Sequence, residues 1–122
     1  MALPIVFINL DRDTGRRKLL EVQFEQRGVA AERLPATWWS DVPPAEQDHL
    51  YAPTLNQQQY FKPLVNGEKG CYTSHIQAWK KLLSSTAKAM VVLEDDVVLG
   101  SDFQTIIHAV SELDEHWDMI KL

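Results

Sequence analysis

The chain has 122 residues, 45% of them hydrophobic and 24% charged, a balance that suits a globular domain able to bury its own core. Its formal net charge of -5 argues against nucleic-acid binding, which needs a basic face to neutralise phosphates. Cys71 is the single cysteine, which excludes an intramolecular disulfide and points to a reducing compartment.

No apolar run approaches the ~18–20 residues that spanning a bilayer requires. Met1-Ala2-Leu3-Pro4 lacks the charged segment and cleavage site of a leader peptide. One domain is expected over residues 1–122, in the cytoplasm, with docking on a membrane surface left open.

Residues 4–10, Pro4-Ile5-Val6-Phe7-Ile8-Asn9-Leu10, are apolar at nearly every position and predict a central strand. A polar turn follows, with Asp13 or Thr14 as N-cap of a helix that runs to about Arg27 and stops at Gly28. Leu20 and Phe24, flanked by Leu19 and Gln23, form its apolar stripe. A weaker strand signal over residues 29–34 completes a β-α-β opening, which in one sheet implies parallel strands and a right-handed crossover.

Residues from about 35 to 65 read as an irregular insertion, with five of the six prolines and no steady period of 2 or 3.6. Within it, Pro43-Pro44-Ala45-Glu46-Gln47 suits the start of a short helix. Long loops in compact domains are usually functional or disordered. The aromatics Trp38, Trp39, Tyr51, Tyr60 and Phe61 favour the wall of a binding site.

Asn66-Gly67-Glu68-Lys69-Gly70 reads as a turn before a helix opened by Ser74, with Gln77 in a capping-box position and Ile76, Trp79, Leu82 and Leu83 as its buried stripe. A buried strand over residues 89–93 follows. Ser101, with Gln104 three residues on, then opens a helix whose apolar face is Phe103, Ile106, Ile107, Val110 and Leu113. Trp117-Asp118-Met119-Ile120-Lys121-Leu122 resembles the start of another strand. A strand with no turn after it suggests a truncated domain from a longer parent, and its exposed edge offers a route to oligomers.

The chemistry concentrates at Glu94-Asp95-Asp96, directly after the strand Val91-Val92-Leu93. Adjacent carboxylates repel, so burying them unpaired would cost several kcal/mol or trap a proton. The triplet is either a solvated or helix-capping acidic turn or a site for a hard divalent cation such as Mg²⁺ or Mn²⁺. Along an extended strand Glu94 and Asp96 share a face while Asp95 points elsewhere. Neither Cys nor His lies close enough in sequence to suggest zinc by spacing.

His75 suits a structural hydrogen bond better than catalysis, and Cys71 reads as a small buried filler. Arg12, Arg16 and Arg17 form either a solvated helix face or a diphosphate contact where the first strand meets a helix N-terminus. The loop there lacks the glycines of a dinucleotide-binding or P-loop fingerprint. A phosphoryl-accepting receiver domain is disfavoured, because the carboxylate cluster comes late in the chain.

Four motifs in order carry a family resemblance: Ile8-Asn9-Leu10-Asp11-Arg12 with Arg16-Arg17; Gly67-Glu68-Lys69-Gly70-Cys71 leading to Ser74-His75 and Trp79; Leu93-Glu94-Asp95-Asp96-Val97; and Trp117-Asp118-Met119-Ile120-Lys121-Leu122. Together they resemble glycosyltransferase family 25, which includes lipooligosaccharide galactosyltransferases and is similar to collagen galactosyltransferases. Lys69 departs from the pattern, where an apolar residue is expected.

The resemblance implies an α/β, GT-A-like (Rossmann-like) nucleotide-sugar-binding half with a mostly parallel sheet. It implies transfer of a hexose, often galactose from UDP-galactose, to a lipooligosaccharide or lipopolysaccharide acceptor at the cytoplasmic side of the inner membrane. By analogy Glu94, Asp95 and Asp96 hold Mn²⁺ or Mg²⁺. Asn9, Leu10, Arg12 and Arg16 lie near the donor, and Gly67, Glu68, Ser74 and His75 line or brace its pocket. No general base is evident; Glu68 and Asp118 are the candidates present, and the isolated chain is expected to be inactive. The rival expectation is a non-catalytic, truncated nucleotide-sugar-binding or interaction module.

Overall fold

A computed structural model describes residues 2–114 and 116–122. Its centre is a parallel sheet of order β2-β1-β3, built from β1 (Ile5–Asn9), β2 (Glu32–Pro35) and β3 (Val91–Glu94). The middle strand is the one whose sequence is apolar up to Asn9 at its end, and Val6, Phe7, Ile8 and Asn9 are all buried. Register sets Asn9 beside Pro35 on one side and Ile8 beside Glu94 on the other. The carboxyl ends of all three strands therefore meet at one edge. This is an α/β, Rossmann-like arrangement.

Helix α1 (Thr14–Arg27) follows β1 and begins and ends where its signals predict, with Asp13 at the N-cap position. Gly28 adopts φ 63°, a left-handed conformation that costs glycine little. Its amide returns to the Glu25 carbonyl and that of Val29 to the Phe24 carbonyl, closing the helix. Leu20 and Phe24 are buried as expected, whereas Leu19 is exposed. With Phe7, Leu93, Leu99, Phe103 and Ile107 they make the apolar core on one face of the sheet. Phe7 and Phe24 meet with ring centroids 5.3 Å apart. The last two core residues come from α5 (Phe103–Ser111); of the others assigned to the same stripe, Ile106 is exposed and Leu113 lies exposed beyond the end of the helix.

The segment read as irregular holds more structure than its periodicity suggests. A 3-10 turn (Trp39–Asp41) leads to α2 (Pro44–Leu50), which starts on its proline pair as expected, and then to α3 (Pro53–Gln59), which was not foreseen. Neither helix has a buried residue, so neither carries an apolar stripe for periodicity to detect. Asn56 stitches the exit of α3, accepting from the Leu64 amide and donating to the Lys62 carbonyl.

Helix α4 (Asn66–Leu83) corrects the sequence reading twice. The expected turn over residues 66–70 is its first turn, closed by Glu68, whose carboxylate accepts from the Val65 amide at 3.2 Å. Ser74 is accordingly an interior residue and not a cap. The buried face is Gly70, Thr73, Ser74 and Ala78, while Trp79 and Leu83 are exposed. Small side chains permit close approach to backbone, which a search for large apolar residues overlooks.

Ser101 and Gln104 do not form a capping box. Asp102 stands at the N-cap of α5, and the Gln104 amide donates to the Arg27 carbonyl at the end of α1. Residues 117–122, expected to start a strand, are not in one. Among the described residues no helix is long and apolar enough to cross a membrane.

Candidate functional site

At the carboxyl edge of the sheet, where open α/β sheets bind ligands, lies an open cleft of about 230 Å³. Its floor is Ile8 and Leu10, one wall is the segment Ala36–Trp39, and the opposite rim is Glu94, Asp95 and Asp96. Helix α1 contributes Asp13 and Arg16 from its first turn, and α4 contributes Gly67, Gly70, Cys71, Ser74 and His75.

The wall is held by two features of α4. A Cβ on Gly70 would sit 2.7 Å from the Thr37 carbonyl oxygen, so only glycine allows this approach. Ser74, 1% exposed, accepts from the Thr37 amide at 2.9 Å and donates to the Gly70 carbonyl at 2.7 Å. Ser74 thus braces the wall, its hydroxyl fully engaged. Lys69, the departure from the family pattern, lays its ammonium over the Tyr51 ring at 4.0 Å, a cation–π contact that accounts for a charge there.

Asn9 is a bracket behind the cleft. Its amide nitrogen donates to Asp95 Oδ2 at 2.9 Å and to the Asp13 carbonyl at 3.1 Å, and its oxygen accepts from Arg33 Nε at 2.9 Å. Arg33 also donates to the Asn9 carbonyl at 2.8 Å and pairs with Asp11 at 2.6 Å. One buried amide therefore ties the ends of β1, β2 and β3 together and fixes Asp95. Arg33 drew no attention in the sequence, since its part depends on the register between strands.

The acidic triplet divides between two directions, with Glu94 ending β3 and Asp95 and Asp96 in the turn that follows, where strand alternation no longer applies. Asp95 faces Asn9 and Arg16, the latter at 3.5 Å. Glu94 faces α4, with Oε1 3.5 Å from Cys71 Sγ and 3.4 Å from His75 Nε2. Asp96 adds negative charge near Cys71. Partial burial, the charge and hydrogen bond of Glu94 and the charge of Asp96 together push the Cys71 thiol up from its ordinary range. Cys71 is exposed and is no core filler.

Leu10, Arg16, Gly67, Ser74, His75, Glu94, Asp95 and Asp96 thus share the cleft. Arg12 lies on the outer side, its guanidinium 3.8 Å from the centre of the Trp38 ring. Arg17 is spent on Glu21 within α1 at 2.6 Å. Glu68 caps α4 and meets Lys62 at 3.6 Å; neither it nor Asp118 lines the cleft. Of the aromatics assigned to a wall, Trp38 and Trp39 line it, whereas Tyr60 and Phe61 pack on each other with ring centroids 4.5 Å apart.

Comparison with known proteins gives a consistent result. The family described as "Glycosyltransferase family 25 (LPS biosynthesis protein)" matches residues 2–122. A glycosyltransferase 25 family member of Drosophila pseudoobscura pseudoobscura is 28% identical over 96 residues, covering 76% of this chain and 15% of its own length. Procollagen galactosyltransferase 1-B of Xenopus laevis is 30% identical, covering 91% of this chain and 18% of its own. The lacto-N-neotetraose biosynthesis glycosyltransferase LgtE of Neisseria meningitidis serogroup B is 29% identical, covering 91% of this chain and 38% of its own. The chain spans well under half the length of each of these relatives. It belongs to glycosyltransferase family 25.

Proposed function

We propose that the cleft binds the diphosphate of a nucleotide-sugar donor, a UDP-hexose and foremost UDP-galactose, as the donor half of a GT-A-type transferase acting on a lipooligosaccharide or lipopolysaccharide acceptor. The observation that carries this reading is the placement of Glu94, Asp95 and Asp96 with Arg16 and the tryptophan wall around one cleft at the carboxyl edge of three parallel strands. Sugar transfer is further supported by relatives named as galactosyltransferase and as lacto-N-neotetraose biosynthesis glycosyltransferase.

The carboxylate oxygens are hard ligands of the kind Mn²⁺ or Mg²⁺ takes, and the side chains of Glu94 and Asp96 would have to turn toward Asp95 to hold one ion together. Asp95 is held by Asn9, while Glu94 and Asp96 are exposed at the rim. A divalent ion bound there supplies charge stabilisation to the departing nucleoside diphosphate. The chain's own residues do the rest. Arg16, with its side chain 59% exposed, can turn its guanidinium from Asp95 to a phosphate. The N-terminal turn of α1 directs its free amides toward the same edge, an arrangement that favours anions. Trp38 and Trp39 supply an apolar flank for the base or sugar.

The cleft's 230 Å³ lies below the ~300–1,000 Å³ typical of enclosed ligand pockets, so the donor extends across its open side. Neither Glu68 nor Asp118, the candidate bases, lines this cleft. The 122-residue chain alone is therefore expected to bind donor without appreciable turnover. We place this activity in the cytoplasm, peripheral to the inner membrane where such acceptors are elaborated.

Saturation-transfer NMR with UDP-galactose, UDP-glucose and free galactose, in Mg²⁺ to avoid paramagnetic broadening, tests the donor class. Transfer to the uridine and hexose protons of the UDP-sugars, with none to free galactose, is expected. Absence of transfer to every UDP-sugar would contradict the proposal.

A further inference from the structure

Cys71, His75 and Glu94 make a cluster that the binding of a hard cation leaves unexplained. Cys71 and His75 are four residues apart on α4 and so leave the same face of the helix. Glu94 ends β3 and reaches across to both. Their three ligand atoms all lie within 4.8 Å of one another. Each is reachable from solvent, Cys71 being exposed and the His75 and Glu94 side chains 33% and 53% exposed.

Two of the three spacings match a definite coordination chemistry, and the third, between Cys71 and His75, is within 4.8 Å. Tetrahedral zinc has bonds of ~2.0–2.1 Å to nitrogen or oxygen and ~2.3 Å to sulfur, which sets ligand atoms roughly 3.4 Å apart for nitrogen with oxygen and roughly 3.6 Å for sulfur with oxygen. The observed distances are 3.4 Å for His75 to Glu94 and 3.5 Å for Cys71 to Glu94. One thiol, one imidazole and one carboxylate form a borderline-soft set, which selects zinc-like ions over Mg²⁺ or Mn²⁺. Three protein ligands leave the fourth position open to water or another small ligand.

We infer that Cys71, His75 and Glu94 form a second metal site in the cleft, selective for a Zn²⁺-class ion. On binding, the thiol gives its proton to solvent and the sulfur ligates as thiolate. Glu94 is common to this set and to the carboxylate triplet. Zinc there would therefore displace the hard ion of the proposed function and make donor binding zinc-sensitive. That consequence rests on the proposed function; the site itself does not.

Cobalt is the probe, titrated into the reduced 122-residue chain at neutral pH with no nucleotide present, so the result is independent of donor binding. A near-ultraviolet thiolate-to-cobalt charge-transfer band with intense tetrahedral visible bands is expected, and Zn²⁺ should abolish both. Cys71→Ser should remove the charge-transfer band. His75→Gln, which keeps the bulk of the ring, should weaken cobalt binding by at least the ~10–100-fold seen when even a ligand's supporting partner is lost. Circular dichroism of each variant confirms its fold. No charge-transfer band in the native chain, or a band of unchanged affinity in His75→Gln, would overturn the inference.

Discussion

The two faces of the sheet are built from different materials. On one, α1 and α5 pack large apolar side chains, Leu20, Phe24, Phe103 and Ile107, onto Phe7 and Leu93. On the other, α4 offers Gly70, Thr73, Ser74 and Ala78. The first face buries hydrocarbon, whose stabilisation scales with area and tolerates small displacements. The second brings backbone against backbone and fixes position through hydrogen bonds, as at Thr37 and Ser74. The cleft is walled from the second face, so stability and site geometry rest on separable sets of residues.

Mutations can break that separation or sharpen it. The largest expected effect is on the apolar face: Leu20→Ala, at a position 0% exposed, should lower unfolding free energy by about 2–5 kcal/mol in a denaturant titration. Donor affinity below the transition should fall much less than in the wall variants, because Leu20 faces the apolar core and does not line the cleft. A large loss of affinity from the folded variant would show that the faces are coupled.

Gly70→Ala should reverse the pattern. The added methyl meets the Thr37 carbonyl at 2.7 Å and must push the 36–39 wall outward, at about 1–3 kcal/mol. Displacing a binding wall by a fraction of an ångström should nonetheless weaken UDP binding on the order of tenfold. Ser74→Ala is a milder version: it leaves the Thr37 amide unpaired at about 1–3 kcal/mol and adds no bulk. Calorimetric titration of both variants should rank their affinities in that order.

The smallest effect concerns the cleft's electrostatics. Burial and the charges of Glu94 and Asp96 raise the Cys71 thiol, so near pH 8 it holds its proton more firmly than a free cysteine and should alkylate more slowly with iodoacetamide. Glu94→Gln removes the charge and should speed the reaction several-fold. As the only cysteine, Cys71 reports without interference. An unchanged rate in Glu94→Gln would show that its charge does not reach the thiol.

The same contrast explains what was legible in the sequence. The apolar face announced itself: β1 as an unbroken apolar run, α1 by Leu20, Phe24 and Gly28, and α5 by Phe103 and Ile107. The site face did not. Gly70 and Ser74 read as turn and cap, because small residues in a helix carry no period and their purpose is contact with Thr37, more than thirty positions away. Helix α3 escaped for a related reason, having no buried residue to mark a stripe.

Of the candidate site, the carboxylate triplet was legible at the end of a strand, whereas the directions of Asp95 and Asp96 are set by the turn after β3. Asn9 was singled out, yet its engagement by Arg33 and Asp95 depends on cross-strand register that local sequence does not encode. The grouping of Cys71 and His75 with Glu94 was hidden in the same way, by a sequence separation of 19 or more positions. Residues 116–122 err in the other direction, with a strand-like pattern that finds no ladder.

The central claim is that the acidic rim holds the donor diphosphate through a hard divalent ion. Calorimetric titration of UDP into the chain with and without Mn²⁺, repeated on Asp96→Asn, tests it most directly. Saturable binding that requires Mn²⁺, vanishes on chelation and weakens at least about tenfold in Asp96→Asn is the predicted result, each ~1.4 kcal/mol of lost interaction being tenfold in affinity. UDP binding of equal strength with and without the metal, or no binding under either condition, would contradict it.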